Sequence, residues 1–126
     1  MREWVAAQSS IASCEYGRLE LVSSFHRNFR EGFLTRREHQ IVLRQFESDD
    51  ASGIWIWLSV DANLIRKAVS SVFALSPAVF LRAGDALHLT CAAANGFSEI
   101  CSNDRHLIAA ASHFGLKARN VIVQPR

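Results

Sequence analysis

The stretch Leu81–Leu107, LRAGDALHLTCAAANGFSEICSNDRHL, decides how the chain is read. Ala83 to Ala94 holds strong helix formers and few solvating side chains, which predicts a largely buried helix. Asn95-Gly96 supplies a left-handed stop. Glu99 to Ser102 is a candidate strand, and Asp104 can cap a helix beginning at Arg105. Two carboxylates sit oddly here. Asp85 lies inside an otherwise apolar helix, and Asp104 lies just past the C-terminal end of a strand, where open α/β sheets bind ligands.

Working outward, Arg105 to Phe114 reads as a helix stopped at Gly115, and Val121-Ile122-Val123 as a last strand. Upstream, Asp61 suits an N-cap for a helix carrying Leu64, Ile65, Ala68, Val69 and Val72, which ends before Pro77. Before it stands the clearest strand, IWIWLSV from Ile54 to Val60. Its isoleucines, Leu58 and Val60 share one face and Trp55 and Trp57 the other, which predicts that both faces are covered. Ser48 to Gly53 is a polar turn. Thr35-Arg36-Arg37-Glu38 matches a capping box and opens a helix through Phe46. From Glu15 to Arg30 the apolar residues Leu19, Val22, Phe25 and Phe29 recur at helical steps, and Gly32 closes that helix. Ser10 to Ser13 is a short strand candidate, and residues 2–8 look like the tail of a helix. Strands separated by helices predict one α/β domain over residues 1–126 with a parallel sheet.

At 126 residues, 49% hydrophobic and 21% charged, the chain has the composition of a globular domain with a real core. No apolar run reaches the ~20 residues of a membrane span, and Met1-Arg2-Glu3-Trp4 does not begin a signal peptide. Cys14, Cys91 and Cys101 lack CxxC spacing and read as reduced, buried thiols of a cytoplasmic protein. A zinc site from His88, Cys91, Cys101 and His106 lacks any established ligand spacing. Net charge is +2. Arg18, Arg27, Arg30, Arg36, Arg37 and Arg44 crowd the first half, as a solvated helix face or a phosphate-contacting surface. Trp55 and Trp57 read as core before they read as a platform for RNA bases.

Glu20, Asp85 and Asp104 stand where carboxylates are costly. Right-handed crossovers would bring the three to one cleft. Two carboxylates ~5 Å apart repel by about 3 kcal/mol at an effective dielectric of ~20. Three such pairs would cost on the order of 10 kcal/mol, comparable with the ~5–15 kcal/mol stability of a whole domain. Such a cluster needs protons, arginines or a divalent cation, and all-oxygen ligands suit Mg²⁺ or Mn²⁺. Each acid also has an ordinary reading. Asp104 can be a plain N-cap; Glu20 can pair with Arg18 or Arg27 or face solvent; Asp85 can bond Arg82 or His88.

The segment Leu81–Leu107 resembles the C-terminal signature of PIN-domain ribonucleases, in particular VapC-like toxins of type II toxin–antitoxin pairs. That signature is a helix of the form Leu-Arg-x-x-Asp-Ala-Leu-His-Leu followed by a strand ending in Thr-x-Asp, here Ser102-Asn103-Asp104. SSIASCEYGRLEL with FHRNFREGFLT is similar to the family's second strand and the helix bearing its acid, which falls at Glu20. The resemblance spans residues 2–123 and implies a three-layer α/β/α fold around a short parallel sheet. It also implies hydrolysis of RNA to 5′-phosphate and 3′-hydroxyl ends. Glu20, Asp85 and Asp104 would be metal ligands, Ser102 would orient a ligand or water, and Arg82 would hold the carboxylates in place. A cognate antitoxin and a homodimer are implied too. Nothing in Met1 to Ser9 matches the family's first, central strand, which ends in Asp-Thr-Ser and supplies a further ligand. A sheet without it would be left as two strand pairs with unsatisfied edges. Two expectations follow: a ribonuclease whose first strand is missing from this sequence, or an inactive remnant that binds an antitoxin or its own copy.

Overall fold

The structure, a computed structural model, describes residues 11–120. The helix tail expected over residues 2–8 and the strand expected at Val121–Val123 lie outside them. In chain order the elements are β1 (Ile11–Cys14), α1 (Tyr16–Arg30), α2 (Arg36–Ala51), β2 (Trp55–Leu58), α3 (Ala62–Phe73) and α4 (Ala83–Ala94). They continue with β3 (Glu99–Ser102), α5 (Arg105–Ala110), a 3₁₀ turn (Ala111–Phe114) and β4 (Lys117–Asn120). The class is α/β, with parallel strand pairing throughout the described residues.

The strands form two separate pairs, β1 with β2 and β3 with β4. Ile11 stands opposite Trp55 and Cys14 opposite Leu58 in the first, Glu99 opposite Lys117 and Ser102 opposite Asn120 in the second. Among the described residues no ladder joins the pairs. They share α4, which packs against β1, β3 and α3. Its two apolar sides serve different cores. Leu89 joins Leu107, Ala110, Ala111 and Leu116 over the second pair, while Cys91 joins Cys14 and Leu64 over the first.

The local signals account for most of the boundaries. Thr35 and Glu38 complete a capping box at the start of α2, and Asp61 Oδ1 accepts from Leu64 N at the start of α3. Gly96 and Gly115 end α4 and the 3₁₀ turn with φ of 82° and 74°.

Two expectations need correction, and one strand was not foreseen. The residues Ser48 to Ala51 are the last turn of α2 rather than a polar turn. Gln45 Nε2 donates to Asp49 Oδ1 at 2.8 Å, and Asp50 accepts from both Arg18 and Trp57, so tertiary partners carry the helix past its apolar pattern. The strand IWIWLSV is shorter than expected and its apolar face is not fully covered, since Ile56 stays 49% exposed. The last described strand is Lys117–Asn120, whose composition carries no strand signal; it forms because β3 offers a parallel partner.

Candidate metal and acid site

Three elements bring the expected acids to one side of the molecule. Glu20 sits one turn into α1, which follows the C-terminal end of β1. Asp85 sits in the first turn of α4. Asp104 lies beyond the end of β3 and caps α5.

The first turns of α4 receive Glu20. Its Oε1 contacts His88 Nε2, and its Oε2 lies so close to Gly84 that a Cβ there would be 3.1 Å away. Asp85 falls between these two contacts along the helix. Burial pushes the Asp85 carboxyl up from its ordinary value, and the negative fields of Asp104 and Glu20 push it further, against weaker opposing fields from His88 and Arg82. Both of the other acids are therefore near enough to be felt at Asp85. Asp85 itself makes no hydrogen bond among the described residues, so neither pairing expected from spacing, with Arg82 or His88, is formed.

The other two acids are engaged. Glu20 turns to His88 rather than to Arg18 or Arg27; Arg18 instead serves Asp50 and Glu15. Asp104 Oδ1 accepts from the backbone N–H of His106 at 2.8 Å and of Leu107 at 3.2 Å, and these bonds hold its carboxyl below the usual range. Ser102 Oγ accepts from Asp104 N at 3.0 Å, which makes it a strand-end hydroxyl that shapes the cap. Arg82 lies over the Phe80 ring, 5.8 Å from its centroid, within reach of Asp85 only as a field.

As the side chains stand, no group of three or more His, Cys, Asp or Glu residues is gathered tightly enough to hold a metal ion among the described residues. The electrostatics explain the spread. Carboxylates repel one another, and two of the three take separate donors, an imidazole for Glu20 and a helix N-terminus for Asp104. The donor set itself is all oxygen and fits a hard cation such as Mg²⁺ or Mn²⁺. The zinc arrangement weighed from the sequence is dispersed: Cys91 is buried beside Cys14, and His106 leans on Phe80 with ring centroids 4.4 Å apart.

His88 and Gly84 are the site residues that spacing did not reveal in these roles. Their signal was present, since they lie four residues apart on one face of α4 and a glycine inside a helix marks close approach. An apolar groove of about 660 Å³ opens beside the acids, lined by Tyr16, Ile65, Val69, Val72, Phe73 and Gly84 among others. No helix among the described residues is long and apolar enough to cross a membrane. Comparison of the chain with protein-family models, with curated proteins and with solved structures finds no match.

Proposed function

We propose that the chain is a PIN-like ribonuclease module of the toxin–antitoxin kind, which hydrolyses RNA phosphodiesters with Mg²⁺ or Mn²⁺ in the cytoplasm. The observation that carries this reading is the approach of Glu20, from a distant part of the sequence, to the first turns of α4 on either side of Asp85. Asp104 adds its field from the second strand pair. A purely structural role for these acids gives no reason to direct two negative fields at a third, partly desolvated carboxyl.

Glu20, Asp85 and Asp104 would hold the ion, directly or through water. When bound, it would neutralise the cluster, activate water and polarise the phosphodiester. Each acid has a stated path to that role. Asp85 gives up its raised proton affinity, Glu20 offers the oxygen not held by His88, and Asp104 offers Oδ2 while Oδ1 keeps the α5 cap. Ser102 supports the loop that carries Asp104. The three-layer PIN-like arrangement belongs to the same proposal. A parallel strand running between β1 and β3, both already packed on α4, would join the two pairs into one sheet.

A second reading, a module that binds an antitoxin or its own copy without chemistry, is favoured by the apolar groove beside the acids. Phe73 on its rim is 86% exposed. Incubation of the full chain with labelled RNA separates the two. The ribonuclease reading expects cleavage to 5′-phosphate ends that requires Mn²⁺ or Mg²⁺, stops with chelator and is abolished by Asp85→Asn. Equal cleavage by that variant, or none by the native chain under any divalent ion, removes the enzymatic reading.

A further inference from the structure

Two helical glycines face each other's helices across the α1–α4 contact, and each makes room for the partner helix's functional side chain. Gly17 is in the first turn of α1; a Cβ there would lie 3.2 Å from His88 Cε1 and 2.7 Å from Ser13 Oγ. Gly84 is in the first turn of α4; a Cβ there would lie 3.1 Å from Glu20 Oε2 and 3.2 Å from Tyr16 Cε2. Neither has the positive φ that would by itself call for glycine. Alanine would favour either helix more than glycine does. Backbone conformation therefore does not account for them, and close approach does.

We infer that Gly17 and Gly84 form a reciprocal notch that seats the Glu20–His88 couple, making His88 a positioning residue that fixes the Glu20 carboxylate beside Asp85. The ring donates from Nε2 to Glu20 Oε1, and Tyr16, with its ring centroid 6.2 Å from that of His88, closes the side of the couple. Glu20 Oε2 is left pressed against Gly84, next to Asp85. A free glutamate on a helix surface samples several rotamers and loses that entropy when it binds a cation. Held by His88, it has already lost much of it. The purpose of the couple rests on the ribonuclease reading, whereas its existence does not.

The test is Mn²⁺ binding to the full chain, read by electron paramagnetic resonance, for the native protein, His88→Leu, His88→Gln and Gly84→Ala. Loss of a partner that orients a ligand typically weakens metal affinity by about ten- to hundredfold, and His88→Leu should fall in that range. His88→Gln keeps an N–H donor and should restore most of the affinity. Gly84→Ala should weaken binding while raising or leaving unchanged the thermal stability, because alanine favours the helix and displaces the carboxylate. Native-like binding by His88→Leu, or equal loss in the leucine and glutamine variants, overturns the inference. The ¹⁵N resonances of the His88 ring in the metal-free chain report the couple independently of any metal. Glu20→Gln and Gly84→Ala should both move them. If the native chain binds no Mn²⁺, the ribonuclease reading fails while these shifts still decide the couple; unmoved resonances overturn it.

Discussion

The two sides of α4 are built on different physics. Toward β3 and β4 it faces a dry cluster in which Leu89, Ala110 and Ala111 have essentially no exposure. Toward the N-terminal half it meets α1, which, like its neighbour α2, contains no buried residue. Outside the small cluster of Cys14, Leu64 and Cys91, that half relies on polar and aromatic contacts. Arg18 bonds Asp50 at 2.5 Å and lies 4.7 Å from the centre of the Trp57 ring, while Trp57 Nε1 donates to Asp50 at 2.8 Å. Phe29 stacks on His39 with ring centroids 4.6 Å apart. The acid site lies at this boundary, with Asp85 and Asp104 on the packed side and Glu20 on the loosely packed one. The scaffold thus partly buries Asp85, caps a helix with Asp104 and leaves Glu20 to a single imidazole.

The sharpest way to break this contrast is to truncate one leucine on each side. Leu89→Ala should cost about 2–5 kcal/mol, since the side chain has no exposure and its removal leaves a cavity. Leu19→Ala, 61% exposed on α1, should stay within about 0.5 kcal/mol. Urea unfolding midpoints measure both. Comparable losses would show that the N-terminal half is packed as tightly as the other.

Next in size is Asp50, where the polar half concentrates its interactions. Asp50→Ala leaves the Trp57 indole N–H without its acceptor and the Arg18 guanidinium with Glu15 alone, and the expected loss is about 1–3 kcal/mol. Asp50→Asn keeps a neutral acceptor for one of them and should recover part of that loss in the same assay. A smaller effect belongs to Asp104→Ala, which removes the α5 cap and should cost roughly 1 kcal/mol.

How much of this was legible in the sequence divides along the same boundary. The stretch from Ala83 to Ala110 was read nearly residue by residue, because its signals are local: good helix formers in Ala83–Ala94, a glycine after the helix, an aspartate cap. The end of α2 was missed because its cause lies far away in the chain, in Arg18 and Trp57. β4 was missed because Lys117–Asn120 takes its conformation from its partner and not from its own composition. The acids were singled out from their unusual settings and the Asp104 cap was foreseen, but the partner of Glu20 was not. Glu20 and His88 are 68 residues apart, and spacing reports nothing about which of two neighbours a carboxylate prefers.

The finest test of the contrast uses two carboxylates of opposite behaviour. Asp85 has its proton affinity raised, first by burial and then by Asp104 and Glu20. In the unfolded chain an aspartate ionises near ~3.9, so between that value and the higher folded one, unfolding releases a proton. Stability should fall as pH rises through that window and level off above it. Asp104 works the other way: held down by the Leu107 and His106 N–H groups, it contributes stability above the ordinary carboxylate range that disappears as pH falls through its depressed value. Asp85→Asn should therefore be more stable than the native chain at neutral pH and converge with it in acid, whereas Asp104→Asn should show its deficit at neutral pH and lose it in acid. Urea midpoints across the acid-to-neutral range read both, and parallel curves for Asp85→Asn and the native chain would remove the charge crowding from the account. On the ribonuclease reading, Mn²⁺ would then reverse the order at neutral pH, because an ion bound only by the folded native chain stabilises it and would have no hold on the asparagine variant. A residue that weakened the fold without the ion and strengthened it with the ion would be held in place by ligand chemistry, which would separate Asp85 from Leu89, seated on the same helix only four residues away.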